Sequence, residues 1–351
     1  MPRNSPRRAT SSRKQQHVQS VLTNDVGFRG KTTGLEDWEF VHNALPEFDF
    51  SEIDASTTFL DRRLALPFMV SCMTGGYPEA LRINRRLAEF CAAHGLAMGV
   101  GSQRQALESA AFHRSFSIVR EVAPEIPVVG NIGAAEVAKM RDPAAALALV
   151  ALVRADALAV HLNPLQELLQ PEGTPEFRGV LEGIALLVRS LPVPLIVKEI
   201  GAGISADVAR RLIETGVRYI DVAGAGGTSW AGVEILRRRH QRGAALFWDW
   251  GIPTVTALKE VTALKPLTPS LTVIASGGIA TGLEAAKCLA SGADLVASAR
   301  PVLQTMHQKG TAGLRNFLAS WEFELKTTMF LTGARTIADL QRVPLRQGRR
   351  V

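Results

Sequence analysis

Eight short apolar runs recur between about residue 64 and residue 300. Each is followed by a glycine or polar break and then by a stretch rich in Ala and Leu with helical spacing. The runs are LPFMVSC (66–72), LAMGVG (96–101), PVVGNIG (127–133), ALAVHLN (157–163), PLIVKEIG (194–201), YIDVAGAGG (219–227), LTVIASGG (271–278) and ADLVASAR (293–300). Continuous apolar runs that alternate with helical patterns are typical of parallel strands covered by helices. Eight such units predict an α/β protein with a closed (β/α)8 barrel, a fold that fits a chain of 351 residues.

The residues outside this pattern divide the chain into four predicted parts. We expect a mobile basic tail at 1–12, an N-terminal segment covering the barrel at 13–65, the barrel at 66–341, and a basic C-terminal tail at 342–351. The closing stretch GLRNFLASWEFELKTTMFLTGARTIADL predicts two helices broken at Gly333. The sixth interval, 228–270, is longer than the others, and an insertion after a barrel strand belongs to the catalytic face.

Composition excludes several classes of protein. Hydrophobic residues make up 46% of the chain and charged residues 21%, yet no apolar stretch approaches the ~20 residues of a membrane span. The basic start lacks the apolar region of a secretory signal, so we expect a cytoplasmic protein without a membrane partner. Cys72, Cys91 and Cys288 are far apart and form no CxxC pair, which argues against disulfides and cysteine metal sites.

The net charge of +7 is concentrated in the two ends of the chain. Residues 1–20 carry five positive side chains and residues 342–351 carry four arginines, which leaves the body near −2. Basic arms can bind nucleic-acid backbones, but these arms lack interleaved aromatic residues. We expect no nucleic-acid partner, and salt-sensitive retention on DNA would favour the alternative.

Residues suited to a binding site, most of them polar or glycine, collect where the predicted strands end. They are Met73, Thr74, Gly75 and Gly76 after the first run, Ser102, Gln103 and Arg104 after the second, Asn131 at the third, His161 and Asn163 at the fourth, and Lys198 and Glu199 at the fifth. The carboxyl ends of the strands carry the active site in this fold. The pattern therefore predicts one site on one face of the barrel.

The last three runs end in glycine loops, GAGGTSW, SGGI and SARP. Glycines let backbone N–H groups approach an anion closely, and the loops after strands seven and eight form the usual phosphate pocket of this fold. Glycines are also ordinary turn residues, so each loop alone says little. Together they favour a phosphorylated ligand.

Lys198 leaves a buried strand at the mouth of the barrel, where an ammonium needs a negative partner. A reduced flavin, which is anionic at its pyrimidine edge, would supply one. The alternative is an ion pair with the neighbouring Glu199. No GxGxxG stands between a strand and a helix with an acidic residue about 20 positions on, so a Rossmann site is not indicated.

The stretch HLNPLQELLQPEG can bring four polar side chains together. His161 and Asn163 share a face at the strand end, Pro164 suits the first turn of a helix, and Gln166 and Glu167 follow. Mg²⁺ is commonly held by one or two carboxylates with phosphate oxygens and waters, so a single carboxylate here suits a Mg²⁺–diphosphate ligand. The alternative is a helix start with ordinary polar decoration and a core histidine.

The motifs MTGG, VGSQR, HLNPLQELLQPEG, VKEIG, VAGAGGTSW, IASGG and GARTIADLQ, in this order, resemble the type 2 isopentenyl-diphosphate isomerases, which are FMN-dependent (β/α)8 barrels. The likeness runs from about Arg13 to Pro344. It implies interconversion of isopentenyl and dimethylallyl diphosphate with reduced FMN and Mg²⁺, with NADPH commonly reducing the flavin. It also implies a homo-oligomer, since barrels of this family often form tetramers and octamers.

The resemblance also implies the site residues. FMN would contact Cys72, Met73, Thr74, Ser102, Asn131, Lys198, Thr228, Gly277, Gly278, Ile279, Ala299 and Arg300. The substrate would be held by Arg13, Lys14, Ser102, Gln103, Arg104, His161, Asn163 and Gln166, with Gln166 and His161 catalytic and Glu167 on Mg²⁺. Many relatives have a small residue where this chain has Cys72, which then contributes only its backbone.

The reaction adds a proton to one carbon of an alkene and removes another from its neighbour. The strand ends contain few titratable groups suited to this task, so we hypothesise that the reduced flavin acts as acid and base in a dry pocket. Full activity with a reduced 5-deazaflavin would exclude that role. The rival function is an FMN oxidoreductase of the 2-hydroxy-acid oxidase type, which would need a histidine base that the late strands do not supply.

Overall fold

The protein is described by a computed structural model that covers residues 6–237 and 243–348, with side chains described from residue 11 onward. Its strands are β1 Trp38–Phe40, β2 Thr57–Phe59, β3 Arg62–Leu64, β4 Phe68–Val70, β5 Ala97–Gly99, β6 Val128–Gly133, β7 Ala157–His161, β8 Leu195–Lys198, β9 Tyr219–Asp221, β10 Thr272–Ala275, β11 Leu295–Ser298 and β12 Leu345–Gln347.

The α-helices of the same residues alternate with the strands. They are α1 Pro6–Thr23, α2 Ala80–His94, α3 Arg104–Glu108, α4 Arg114–Val122, α5 Ala134–Val137, α6 Ala144–Val153, α7 Pro164–Leu169, α8 Val180–Ser190, α9 Ala206–Glu214, α10 Trp230–Arg237, α11 Thr254–Thr262, α12 Gly282–Ala290, α13 Arg300–Thr332 and α14 Ile337–Leu340. Short 3-10 helices lie at Leu35–Asp37, Phe50–Glu52, Ala110–Phe112, Ala244–Phe247 and Lys265–Leu267.

Strands β4 to β11 form one closed parallel barrel, so the predicted (β/α)8 fold is confirmed. Each of the eight apolar runs supplies one strand. The register matters for the site because it places residues of neighbouring strands side by side: His161 pairs with Lys198, and Lys198 pairs with Asp221. Polar residues at successive strand ends therefore meet at one rim.

The opposite end of the barrel is closed by the antiparallel hairpin of β2 and β3. Its Phe59 and Leu64 are buried and pack with barrel-interior residues such as Met69 and Val129. Burying apolar side chains there stabilises the barrel and fills its interior. The hairpin thus covers the interior of the barrel at the end opposite the carboxyl rim.

Both predicted tails contain secondary structure. Helix α1 begins at Pro6, so the boundary predicted at residue 12 falls inside a helix; residues 1–5 lie outside the described residues. In the predicted C-terminal tail, residues 345–347 form β12, which pairs with β1, and residues 349–351 lie outside the described residues. The predicted break at Gly333 is confirmed, with a φ of 75° there. No helix in 6–237 or 243–348 is long and apolar enough to cross a membrane.

Candidate active site

A cavity of about 290 Å³ opens at the carboxyl rim, between the strand ends and helix α1. Nearly all of the predicted site residues line it: Arg13, Lys14, Cys72, Met73, Thr74, Ser102, Arg104, Asn131, His161, Asn163, Gln166, Glu167, Lys198, Thr228, Gly277, Gly278, Ile279, Ala299 and Arg300. These residues come from α1 and from the ends of all eight barrel strands, so the rim gathers them in one place.

Gln103 is the predicted site residue that the structure does not bring into the cavity. Its side chain is fully buried behind the strand ends. Its amide nitrogen donates to the Leu149 carbonyl at 3.0 Å, and its amide oxygen accepts from the Asn131 backbone N–H at 2.9 Å. Gln103 therefore ties β6 to α6 instead of facing a substrate.

The glycine loops of the sixth and seventh strands pack backbone against backbone. A Cβ on Gly227 would lie 2.4 Å from the Gly278 nitrogen, and a Cβ on Gly277 would lie 2.1 Å from the Gly224 oxygen. Gly277 also has a φ of 101°, a conformation that favours glycine. Only glycines permit this close approach. The two loops, at 226–227 and 277–278, form a narrow groove open to the cavity, which we call the glycine cradle.

Arg300 supplies a positive charge beside this cradle. It is the first residue of α13, and its guanidinium donates to the Gly227 carbonyl at 3.3 Å. A helix N-terminus and an arginine together favour an anion. The cradle, Arg300 and Lys198 fit a flavin mononucleotide, with its phosphate near Arg300 and an ammonium available to its ring system.

Lys198 does not form the ion pair with the Glu199 carboxylate that the sequence left open as an alternative. The Lys198 ammonium donates to the Glu199 carbonyl oxygen at 2.5 Å, not to its carboxylate. Glu199 instead accepts three backbone N–H groups, from Ile200, Gly201 and Ala202, on one carboxylate oxygen. The carboxylate that forms an ion pair with Lys198 is that of Asp221, 3.9 Å away. Sequence reasoning missed this residue.

Three further cations face the cavity from the other side. Lys14 donates to the carbonyl oxygens of Gly75, at 2.9 Å, and of Ser102. Arg104 forms an ion pair with Glu136 at 3.0 Å. Burial, helped by the neighbouring Arg13, lowers the pKa of Lys14 to about 7. The charges of Arg13 and Arg104 both act against the charge on Lys14, so a bound anion would stabilise this group of cations.

In the HLNPLQE stretch, Asn163, Gln166 and Glu167 form one hydrogen-bonded group, whereas His161 contacts Asn131. Helix α7 begins at Pro164 after Asn163. The Asn163 amide nitrogen donates to Gln166 and to Glu167, both at 3.0 Å, and the second Glu167 carboxylate oxygen accepts from the Thr174 N–H at 2.7 Å. The Asn163 amide oxygen is buried without a hydrogen-bond partner.

These donors fit a magnesium ion. Mg²⁺ takes oxygen ligands, and both the Glu167 carboxylate and the unpartnered Asn163 oxygen are of that type. Among the described residues no three His, Cys, Asp or Glu side chains converge on one metal position. A metal here would therefore depend on substrate oxygens and water for its remaining ligands.

His161 is held as a neutral imidazole. Burial, with the charges of Lys198 and Lys14, lowers its pKa to about 3. Its Nδ1 lies 2.9 Å from the Asn131 side-chain oxygen. Because that oxygen can only accept, we assign the ring proton to Nδ1, which leaves Nε2 as an acceptor.

Sequence reasoning missed a buried chain that starts at Gln166. The Gln166 amide donates to Glu234 at 3.1 Å, and Glu234 also contacts His17 at 2.7 Å and Arg237 at 2.6 Å. Glu234 is fully buried, which by itself raises its pKa, but its contacts with His17 and Arg237 outweigh burial and hold the pKa below the usual range. The long sixth interval pointed to this helix, but nothing local marked Glu234.

Comparison with known proteins identifies the family of this chain. A family model described as FMN-dependent dehydrogenase matches residues 6–119 and 144–347. Isopentenyl-diphosphate delta-isomerases from Pelodictyon phaeoclathratiforme and Chlorobium luteolum are each 48% identical, over 344 and 345 residues, and each match spans 95% of this chain and 96% or 95% of the relative. One from Pseudescherichia vulneris is 46% identical over 337 residues, or 95% of this chain and 96% of the relative.

Solved structures support the fold. A mandelate oxidase with a monooxide FMN adduct superposes with a TM-score of 0.67 at 18% identity, covering 98% of this chain and 100% of that one. Mandelate oxidase with benzoyl-formic acid gives 0.65 at 18% identity, covering 96% and 98%. The family predicted from the motifs is confirmed: this chain is an enzyme of the type 2, FMN-dependent isopentenyl-diphosphate delta-isomerases.

Proposed function

We propose that the protein interconverts isopentenyl and dimethylallyl diphosphate without net redox change, with reduced FMN and Mg²⁺ bound. The observation that carries this proposal is the presence of two anion sites in one cavity. One is the glycine cradle with Arg300 and Lys198, and the other is the group formed by Arg13, Lys14 and Arg104 beside Glu167. A flavin and a diphosphate can then lie next to each other.

The strand-end residues divide between the two ligands. Met73, Thr74, Asn131, Lys198 and Arg300 would hold FMN, with the remaining predicted contacts lining the same side. Bound and reduced, FMN supplies an electron-rich surface and exchangeable protons beside the alkene. Cys72 would contribute backbone alone, because its thiol lies against the position of a Gly99 Cβ, inside the barrel.

The diphosphate would be held by Arg13, Lys14, Ser102 and Arg104, with Glu167 and Asn163 directing Mg²⁺ to it. His161 is neutral in the ligand-free protein, so it acts first as a hydrogen-bonding group, and it could donate a proton only after a bound anion raised its pKa. We therefore propose that His161 first binds the substrate by hydrogen bonding, and that its catalytic role depends on the bound anion.

Gln166 is placed to orient the reacting carbons. Its amide oxygen accepts from Asn163 and its amide nitrogen donates to Glu234, so the amide plane is held from both sides. Glu234 is itself held by His17 at 2.7 Å, so the buried chain Gln166–Glu234–His17 keeps the amide in one orientation. Helix α1 covers the rim and excludes water that would capture a cationic intermediate.

We also propose NADPH as the flavin reductant and a homo-oligomeric assembly, a tetramer or octamer. Both come from the family resemblance. The deciding experiment incubates the protein with FMN, NADPH, Mg²⁺ and isopentenyl diphosphate without oxygen and measures dimethylallyl diphosphate. Its formation supports the proposal. Net oxidation of a 2-hydroxy acid, with no isomerisation, would instead favour the oxidase.

Diphosphate binding should weaken as the pH rises above about 7. Lys14 has a lowered pKa of about 7 in the ligand-free protein, so its charge is present below that pH and is lost above it. A bound diphosphate favours the charged amine, so Lys14 must regain a proton on binding, which costs up to about tenfold in affinity per pH unit. The measurement is the dissociation constant of inorganic diphosphate between about pH 6 and 9.

Lys14→Arg is the matched control, because arginine stays charged throughout this range. It also reports how the ionisation of the diphosphate itself affects binding. Equal pH dependence in Lys14→Arg and the unchanged protein would contradict the role given to Lys14.

A further inference from the structure

Lys198 and Asp221 form a buried pair beneath the cavity. They are register partners at the ends of β8 and β9, and the Lys198 Nζ lies 3.9 Å from the Asp221 Oδ2. The two residues are 6% and 1% exposed. Lys198 lines the cavity and Asp221 does not, so the lysine lies between the carboxylate and any bound ligand.

The hydrogen bonds of Asp221 favour its ionised form. Its Oδ1 accepts from the Ser276 hydroxyl at 2.6 Å and from the Ala223 N–H at 3.2 Å. Its Oδ2 has no hydrogen-bond partner among the described residues, so a protonated carboxyl would leave its O–H without an acceptor. Burial raises the pKa of Asp221, and the ammonium and both donors oppose that effect.

The other titratable groups around Lys198 are neutral or engaged elsewhere. Burial raises the pKa of the Cys72 thiol to about 11, and His161 is neutral. The Glu199 carboxylate acts on Lys198 from the next position in the chain, but one of its oxygens is bound to three loop N–H groups. Asp221 is therefore the carboxylate whose free oxygen faces the ammonium.

We propose that Asp221 is a positioning residue for Lys198, whose carboxylate, held by Ser276 and the Ala223 backbone, keeps the Lys198 ammonium charged before FMN is reduced. The inference rests on FMN binding in the proposed function. Its consequence is that reduction of the flavin to its anionic form draws one proton, because Lys198 already carries its own. Without Asp221 the buried amine would favour its neutral form and would gain a proton when the flavin became anionic.

The test is the pH dependence of the FMN midpoint potential, measured with dithionite and a reference dye on the FMN-loaded protein without substrate. Asp221→Asn keeps the Oδ1 acceptor for Ser276 and Ala223 and removes only the charge. Between about pH 7 and 9 we expect the midpoint potential of Asp221→Asn to change with pH twice as steeply as that of the unchanged protein. The reason is that two protons then accompany two electrons. Lys198→Met/Asp221→Asn should return to the original slope, since no amine is left to protonate.

Each outcome decides the proposal. An unchanged slope in Asp221→Asn, or a doubled slope already present in the unchanged protein, overturns it. If Asp221→Asn fails to fold, the unchanged protein can still overturn the proposal, because a slope of two protons per two electrons with an anionic reduced-flavin spectrum would show that Lys198 gains its proton only on reduction; the proposal requires a slope of one. If the unchanged protein binds no FMN, the proposed function itself fails. Loss of isomerisation with the expected slopes would leave this inference intact.

Discussion

Replacing Glu167 with Gln should raise the Mg²⁺ concentration needed for half-maximal turnover, with a loss in kcat/KM on the order of 100-fold at fixed Mg²⁺. Glu167 supplies the single carboxylate of the proposed metal site, and its two oxygens are oriented by Asn163 and the Thr174 N–H. Gln keeps the shape and one oxygen but loses the charge that binds Mg²⁺. The measurement is initial isomerisation rate against Mg²⁺ concentration.

Glu176→Gln is the matched control. Glu176 pairs with Lys139 at 3.0 Å on the surface and has an exposed side chain, so the same chemical change there should leave the metal requirement as it was. Because excess Mg²⁺ should partly rescue Glu167→Gln, the difference in rate between the two variants should become smaller at high metal concentration. An unaltered Mg²⁺ dependence in Glu167→Gln would remove the metal role from this residue.

Lys198→Ala should weaken FMN retention by about tenfold to 100-fold and destabilise the protein as well. The first effect follows from losing the ammonium at the cavity, and the second from leaving the buried Asp221 carboxylate without its partner. Breaking a buried pair from one side typically costs about 3–5 kcal/mol. The measurements are the FMN dissociation constant, by fluorescence titration, and the free energy of unfolding of the apoprotein.

The variant Lys198→Ala/Asp221→Asn separates these two effects. Removing both charges should recover much of the lost stability, since no uncompensated charge is left buried. FMN affinity should remain low, because the ammonium is still absent. Full recovery of FMN affinity in the double variant would show that Lys198 acts on the flavin only through the stability of the fold.

The barrel and most of the site were predictable from local pattern. Parallel strands buried on both faces appear as continuous apolar runs, and the residue that follows each run must lie at the carboxyl rim once the barrel closes. Arg104, His161, Asn163 and Lys198 could be named in this way. Gln103 follows a run too, but its side chain turns behind the strands to bond Leu149 and Asn131, and alternation along the chain does not report that direction.

The residues that sequence reasoning missed act across strands or helices. Asp221 lies inside the apolar run YIDVAGAGG, and only its register with Lys198 shows its purpose. Glu234 lies in helix α10 and meets Gln166 of α7 and His17 of α1, which are 68 and 217 residues away in the chain. No local spacing encodes such contacts.

The sequence by itself determined the eight strands of the barrel and the rim on which the predicted site lies, because burial periodicity and strand-end chemistry are local properties. Only the tertiary structure decided the charge partners. Lys198 is paired with Asp221 instead of the adjacent Glu199, because strand register sets which side chains approach within a few ångströms while the chain turn aims Glu199 at its own loop. Electrostatic interactions depend on those distances and on burial, neither of which follows from order along the chain.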